Sequence, residues 1–308
     1  MVDPIAPPAL DILSARYDVT VRLRPAPHEL PGLLHGQDAI VLRSGITLPG
    51  PVLAAAGRLR VVARAGNGTD NIDLPAAAAA GIQVFNVPSV SSRAVAELAL
   101  ALTFAVARNV VTADRQVRAG VWNKAALAGA ELTGKMMGVI GVGDIGGHVA
   151  ALATGIGMNV IGSVGNPTPQ RREAWQARGV RLTSTRNVLA AADVVVVACP
   201  LTGRTRHLID ADGLAVMKPD ACLINVGRAQ VVDDQALYAV LRERRIGGAA
   251  LDVHAAESGT PALAALDNVV LTPHIGAMTA DAQERIGGAL IQGLELALAG
   301  RDAPTRIC

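Results

Sequence analysis

The sequence predicts an α/β chain built from two doubly wound parallel sheets. Three observations carry this. Short β-branched runs alternate with alanine-rich helical segments along the whole chain. Glycine or proline punctuates the junctions between them. Two long helical patterns, near 91–106 and 280–298, mark where the chain leaves one α/β domain for a second and then returns.

Taken in order, "PPALDILSARY" (7–17) reads as a helix and "DAIVLRS" (38–44) as a strand. They are followed by a helix in "LPGPVLAAAG" (48–57), a strand in "LRVVARAG" (59–66), a helix in "LPAAAAAG" (74–81) and a strand in "IQVFNV" (82–87). A parallel three-layer domain normally opens on a strand. Here the first helix starts almost at once, so the first strand is expected to be missing or truncated. From Ser91 to about Gly120 the pattern is helical, with a break near Asn109. Residues 133–165 then read as strand, helix and strand. Further alternation runs through "VRLTS", "NVLAAADVVVVACP", "DGLAVMKPDACLINVGR", "DQALYAVLRERRIGGAALDVH" and "NVVLTPHIG", and a final helix spans 279–299.

Composition bounds the partners. Of 308 residues, 51% are hydrophobic and only 2% aromatic, so the core is aliphatic and long disordered stretches are excluded. The net charge is +2, which argues for neither nucleic acid nor an anionic membrane surface. Cys199, Cys222 and Cys308 have no metal-type spacing, so no metal and a reduced, cytoplasmic setting are expected. The start of the chain lacks the pattern of a signal peptide, and "AVAELALALTFAVA" (94–107) carries Glu97 and is too short to span a bilayer.

The chemistry begins at Gly141-Val142-Gly143-Asp144-Ile145-Gly146, a G-x-G-x-x-G. A strand precedes it, a helix follows, and a second strand ends about 20 residues later. Gly141 permits a tight turn, Gly143 lets the backbone approach a pyrophosphate, and Gly146 packs the helix on the strand. A dinucleotide is therefore the expected cofactor. At the tip of the second strand, "SVGN" (163–166), Val164 stands where a carboxylate usually holds the ribose. Without that carboxylate a 2′-phosphate is not repelled, and Arg171 and Arg172 offer it partners. NADP or NAD is expected, with NADP slightly favoured.

Three later stretches end in reactive residues where strands should reach one sheet edge: Arg228, Glu257 and His274. Transfer of hydride to or from an alcohol carbon needs an acid/base for the hydroxyl proton, and histidine titrates in the right range. A neighbouring carboxylate orients the histidine. An arginine clamps a substrate carboxylate through two parallel hydrogen bonds.

The chain resembles the D-isomer-specific 2-hydroxyacid dehydrogenase family. The likeness is carried by "RAGNGTDNID" (64–73), "SRAVAELALAL" (92–102), "GVIGVGDIG", "CPLTGRTRHLI" (199–209), "INVGRAQVVDDQAL", "GAALDVHAAE" and "TPHIGAMTADAQ". It implies a Rossmann-type cofactor domain, 94–281, inserted in a flavodoxin-like substrate domain, 1–93 plus 282–308. By the resemblance Arg228 binds the substrate carboxylate and carbonyl oxygen, His274 is the acid/base, and Glu257 pairs with it. Asp252 faces the nicotinamide amide, and Cys199 and Pro200 line the adenine side. The implied cofactor set comprises Gly141, Gly143, Asp144, Ile145, Gly146, Asn166, Arg171, Arg172, Cys199, Pro200, Val226, Gly227, Asp252, His274 and Gly276. The implied substrate set comprises Arg43, Arg64, Asn67, Gly68, Ser91, Lys124 and Arg228. A homodimer through the cofactor domain is implied as well.

Within the family the chain is most similar to the catalytic core of phosphoglycerate dehydrogenases without a regulatory domain. Ala229-Gln230 replaces a glycine pair, Ser258 a proline, and Val164 the ribose carboxylate. His254 stands where the family usually carries an aromatic residue and reads as a pocket-lining or structural residue. These departures point to a small anionic 2-keto acid such as glyoxylate, hydroxypyruvate or a phosphonate analogue. The alternative is a redox-sensing, corepressor-like binding protein on the same fold. Against it stand the absence of extended tails and of a basic cluster.

Overall fold

The structure is a computed structural model that describes residues 1–254 and 262–308. The chain divides into two compact units, Met1–Ser91 with Ala277–Cys308, and Ser92–Gly276.

The smaller unit carries a three-stranded parallel sheet of β1 (Ala39–Leu42), β2 (Val61–Arg64) and β3 (Gln83–Asn86) in that order. Its helices are α1 (Pro7–Arg16), α2 (Leu30–Leu34), α3 (Gly50–Ala55) and α4 (Leu74–Ala79). Side-chain alternation sorts the strand residues between two cores. Ile40, Leu42, Val62 and Val84 join Leu34, Leu53 and Ala77 on one face. Val41, Val61, Ala63 and Phe85 join Ala9 and Leu13 on the other. The place beside β1 is taken by the first residues of the chain. Val2 N–H donates to the Val41 carbonyl at 3.0 Å, and Arg22 and Arg24 N–H donate to the Met1 and Val2 carbonyls at 3.0 and 2.9 Å. At the far edge Ile307 N–H donates to the Val84 carbonyl at 2.8 Å.

The larger unit begins with α5 (Ser92–Ala107) and α6 (Val110–Arg118), which meet at 62°. The bend sits at Asn109, which takes the left-handed conformation (φ 52°) that asparagine tolerates best among non-glycine residues. Seven strands follow: β4 (Met136–Ile140), β5 (Asn159–Ser163), β6 (Val180–Leu182), β7 (Val194–Val197), β8 (Cys222–Asn225), β9 (Gly248–Leu251) and β10 (Val269–Leu271). Between them run α7 (Asp144–Gly155), α8 (Pro169–Gln176), α9 (Thr185–Ala191), α10 (Ala211–Ala215) and α11 (Asp234–Arg242). All pairings are parallel, and the order is β10-β9-β8-β7-β4-β5-β6. Strands buried on both faces need apolar residues throughout. β7 is accordingly four valines, with Val194 and Val196 facing the α5–α7 side and Val195 and Val197 the α9–α11 side.

The chain then returns to the smaller unit through α12 (Ala280–Leu298), which lies with α1 on the Phe85 face of that sheet. Gly293 makes this possible, since a Cβ there would lie 2.5 Å from the Phe85 ring. No single helix among the described residues is long and apolar enough to cross a membrane.

Candidate functional site

Strand register brings the larger unit's candidate residues to one edge. Ile140 pairs with Val197, Val197 with Asn225, Asn225 with Leu251, and Leu251 with Leu271. The turns after these residues therefore emerge side by side. They carry Gly141, Cys199, Arg228, Asp252 and His274. β4 and β7 are adjacent although β5 and β6 intervene in sequence. That reversal of strand order is where open α/β sheets take their ligands.

The glycine turn sits at this point. Gly141 has φ 96°, and a Cβ there would lie 2.6 Å from Cys199 N. A Cβ on Gly146 would lie 2.3 Å from the Gly141 carbonyl oxygen. Both glycines are thus required by the protein's own packing. Gly143 is not, because a Cβ there would meet nothing within 4 Å among the described residues. Open space over a backbone that precedes the outward-pointing N–H groups of a helix start fits a bound pyrophosphate. Asp144 is the first residue of α7, where the helix dipole favours a carboxylate, and Ile145 is half-buried. Cys199 is buried, which pushes its thiol up to about 11 and keeps it neutral. The carbonyl of the exposed Pro200 accepts from Thr205 Oγ1 at 2.7 Å.

At the tip of β5, Val164 packs half-buried against the core, and Asn166 is exposed. The two arginines beyond it differ. Arg171 Nη1 donates to the Asn166 carbonyl at 3.3 Å, within the loop that follows β5. Arg172 Nη1 donates to the Leu182 carbonyl at the end of β6, 3.1 Å away.

After β8, Val226 is buried and Gly227 packs on the β7 turn, where a Cβ would lie 2.9 Å from the Cys199 carbonyl oxygen. Arg228 is half-buried and its Nη1 donates to the Gly227 carbonyl at 2.9 Å. His274 is exposed and has φ 56°. Asp252 is 2% exposed. Its carboxylate accepts from Thr272 Oγ1 at 2.6 Å, Ile275 N–H at 2.8 Å and Gly276 N–H at 2.9 Å. That uses three of the roughly four acceptor positions of a carboxylate. His254 Nδ1 is buried and has no hydrogen-bond partner among the described residues. Glu257 and Ser258 lie outside the described residues.

The smaller unit gathers a second group in the same way. Leu42, Arg64 and Asn86 are in register, so the turns after β1, β2 and β3 share an edge. Arg43 Nη1 donates to Gln283 Oε1 at 3.2 Å. Burial lowers the pKa of this guanidinium, with Asp3 acting in the opposite sense. Asn71 Nδ2 ties down the Arg43 and Ile46 carbonyls at 2.8 and 2.6 Å. Arg64 is buried and folds back over Gly66, its Nη1 donating to the Ala65 carbonyl at 3.3 Å. The Asn67 carbonyl accepts from Asn86 Nδ2 at 2.6 Å, Gly68 is half-buried and Ser91 is buried. Lys124 is exposed and belongs to the larger unit.

Sequence reasoning passed over Asn71, Asn86, Asn225 and Thr272, which hold these loops. The available signal was a polar residue closing an apolar strand, as in "CLIN" (222–225).

A glycine-rich turn at the switch point of a parallel sheet defines a class, the dinucleotide-binding α/β proteins. Residues 100–276 match the family model described as D-isomer specific 2-hydroxyacid dehydrogenase, NAD binding domain. The chain is 41% identical over 271 residues to D-3-phosphoglycerate dehydrogenase of Mycobacterium leprae, covering 88% of this chain and 51% of that one. It is 38% identical over 268 residues to hydroxypyruvate reductase of Thermotoga maritima, covering 86% of each. A solved structure of a Thermus thermophilus protein matches with TM-score 0.90 and 34% identity, over 100% of this chain and 98% of that one. The chain belongs to the D-isomer specific 2-hydroxyacid dehydrogenase family. It spans about half the length of the phosphoglycerate dehydrogenase it matches.

Proposed function

We propose that this chain is an NAD(P)-dependent oxidoreductase that interconverts a small D-2-hydroxy acid and its 2-keto acid. The observation that carries the reading is the register of the larger sheet, which puts the phosphate turn, Arg228 and His274 at one edge. When bound, the nicotinamide supplies or receives the hydride. Arg228 clamps the substrate carboxylate and polarises the carbonyl oxygen. His274 gives that oxygen a proton during reduction and takes it back during oxidation. Glu257 pairs with His274. Gly141, Gly143 and Gly146 with the start of α7 hold the pyrophosphate, and Asp252, on its remaining acceptor position, takes the nicotinamide amide.

The nucleotide is NADP at least as readily as NAD. Val164 offers nothing to a free ribose hydroxyl, and Arg171 lies in the loop that would meet a 2′-phosphate. The substrate is a small anion such as glyoxylate, hydroxypyruvate or a phosphonate analogue. Arg43, Arg64 and Lys124 supply cations for a second acidic group, and Asn67, Gly68 and Ser91 line its carboxylate. The assembly is a homodimer through the larger unit, where Val110, Val117, Val121 and Trp122 are exposed on and just after α6.

The test is a screen of small 2-keto acids with NADPH and with NADH, following loss of reduced-nicotinamide absorbance. Turnover of at least one acid, with NADPH used as well as or better than NADH, is expected. No turnover with any acid and either nucleotide overturns the reading.

A further inference from the structure

Two fully buried polar side chains bind the two loops on which the proposed chemistry depends. Asn225 is 1% exposed and Asp252 is 2% exposed. Asn225 closes β8. Its Nδ2 donates to the Arg228 carbonyl at 3.0 Å, and its Oδ1 accepts from Gly227 N–H at 3.0 Å. One amide therefore spans the loop that presents the Arg228 side chain. The Asn225 carbonyl accepts from Asp252 N–H at 2.9 Å, which joins that loop to the end of β9. Asp252 then holds the second loop. Besides the three donors on its carboxylate, its backbone carbonyl accepts from His274 N–H at 2.9 Å. This matters because His274 has φ 56°, a backbone state that costs a non-glycine residue energy and persists only where its surroundings impose it.

The pattern is hard to attribute to packing alone. The other three residues of β8 are Cys222, Leu223 and Ile224, and a fourth apolar residue would bury equally well. What an amide adds is a single conformation for the loop, since buried hydrogen bonds in a low dielectric are strong and costly to leave unmade.

We propose that Asn225 and Asp252 form a buried clamp that sets Arg228 and His274 in register. Asn225 is a positioning residue acting through Arg228, and Asp252, beside its proposed contact with the nicotinamide amide, also positions His274. The proposal rests on the reading of Arg228 as the substrate clamp and His274 as the acid/base.

The experiment compares wild type, Asn225→Ala and Asp252→Asn as intact chains. KM and kcat are measured for the best 2-keto acid, with nucleotide Kd and thermal midpoint alongside. Asn225→Ala is expected to raise KM for the keto acid about 10–100-fold, with nucleotide Kd moving less than about twofold. In an Arg228→Lys background the same substitution should change KM little, because the residue acts through the guanidinium. Asp252→Asn should lower kcat more than it raises KM and flatten the pH dependence of kcat. Full additivity of Asn225→Ala with Arg228→Lys, or a parallel shift of KM, kcat and nucleotide Kd in Asn225→Ala, overturns the clamp, and so does an Asp252→Asn that raises nucleotide Kd and leaves kcat unchanged. Should Asn225→Ala fail to fold, Asn225→Ser is read by the same criteria. If wild type reduces no 2-keto acid, the functional reading falls, and the clamp is judged by amide hydrogen exchange. Faster exchange over 226–230 in the Asn225 variant and over 272–276 in Asp252→Asn supports it, and wild-type exchange in both segments refutes it.

Discussion

In the proposed reading, function turns most sharply on His274 and the two arginines beyond β5. His274 occupies the left-handed region with φ 56°, and its N–H is bonded to the Asp252 and Thr272 carbonyls at 2.9 and 3.0 Å. Its ring is exposed, as a group that must meet a substrate requires. If it is the acid/base, His274→Ala should lower turnover about 10²–10⁴-fold while circular dichroism and the thermal midpoint stay near wild type. Unchanged turnover contradicts the assignment. The arginines separate by their backbone partners. Arg172 is tethered to β6 through the Leu182 carbonyl, whereas Arg171 lies in the loop with Asn166. Arg171→Ala should therefore weaken NADPH by about tenfold, the loss of one charge-assisted bond, and leave NADH unaltered. Arg172→Ala should act mainly on the thermal midpoint. Equal effects of both substitutions on NADPH and NADH would contradict recognition of a 2′-phosphate by Arg171.

Among the elements, the glycine turn separates glycines needed for packing from one whose open space fits a ligand. Gly146→Ala forces a Cβ toward the Gly141 carbonyl and the Val139 side chain, which should cost about 1–3 kcal/mol of stability. Gly143→Ala meets no protein atom within 4 Å, so stability should move by less than about 0.5 kcal/mol while nucleotide affinity falls about tenfold or more. Denaturant titration and equilibrium nucleotide binding on both variants check the contrast, and a destabilised Gly143→Ala would contradict it. These elements were legible because their signals are local. The spacing of Gly141, Gly143 and Gly146 between two strands predicts a βα turn, and the break near Asn109 predicts the bend between α5 and α6. The loop clamps were not legible, because their logic is tertiary. Asn225 reads as one polar residue at a strand end, and only the fold brings the Asp252 carboxylate under Thr272, Ile275 and Gly276. The opening of the smaller sheet was hidden for a similar reason. Met1 and Val2 have no strand pattern in sequence, yet they bond beside β1.

For the molecule as a whole, the two-sheet architecture followed from the strand–helix alternation and the two long helical patterns, whereas the proposed dimer rests on the family resemblance and an apolar surface. Val110, Val117, Val121 and Trp122 are 52%, 55%, 47% and 83% exposed on and just after α6. Large apolar residues exposed so near one another in sequence are the expected core of the proposed interface with a second copy. Sedimentation should find wild type as a dimer at micromolar concentration and Val117→Glu shifted toward monomer. A monomeric wild type, or a dimer indifferent to Val117→Glu, contradicts the proposed interface. In the proposed reaction one histidine serves both directions. Reduction of the keto acid needs the imidazolium, so its rate should fall as pH rises through the histidine range. Oxidation of the hydroxy acid needs the neutral ring, so its rate should fall as pH drops through the same range. The most direct measurement is kcat against pH in both directions for wild type and His274→Ala. Opposite limbs are expected in wild type, and the loss of both, with most of the turnover, in the variant. Retained turnover with the same two limbs in His274→Ala would contradict it.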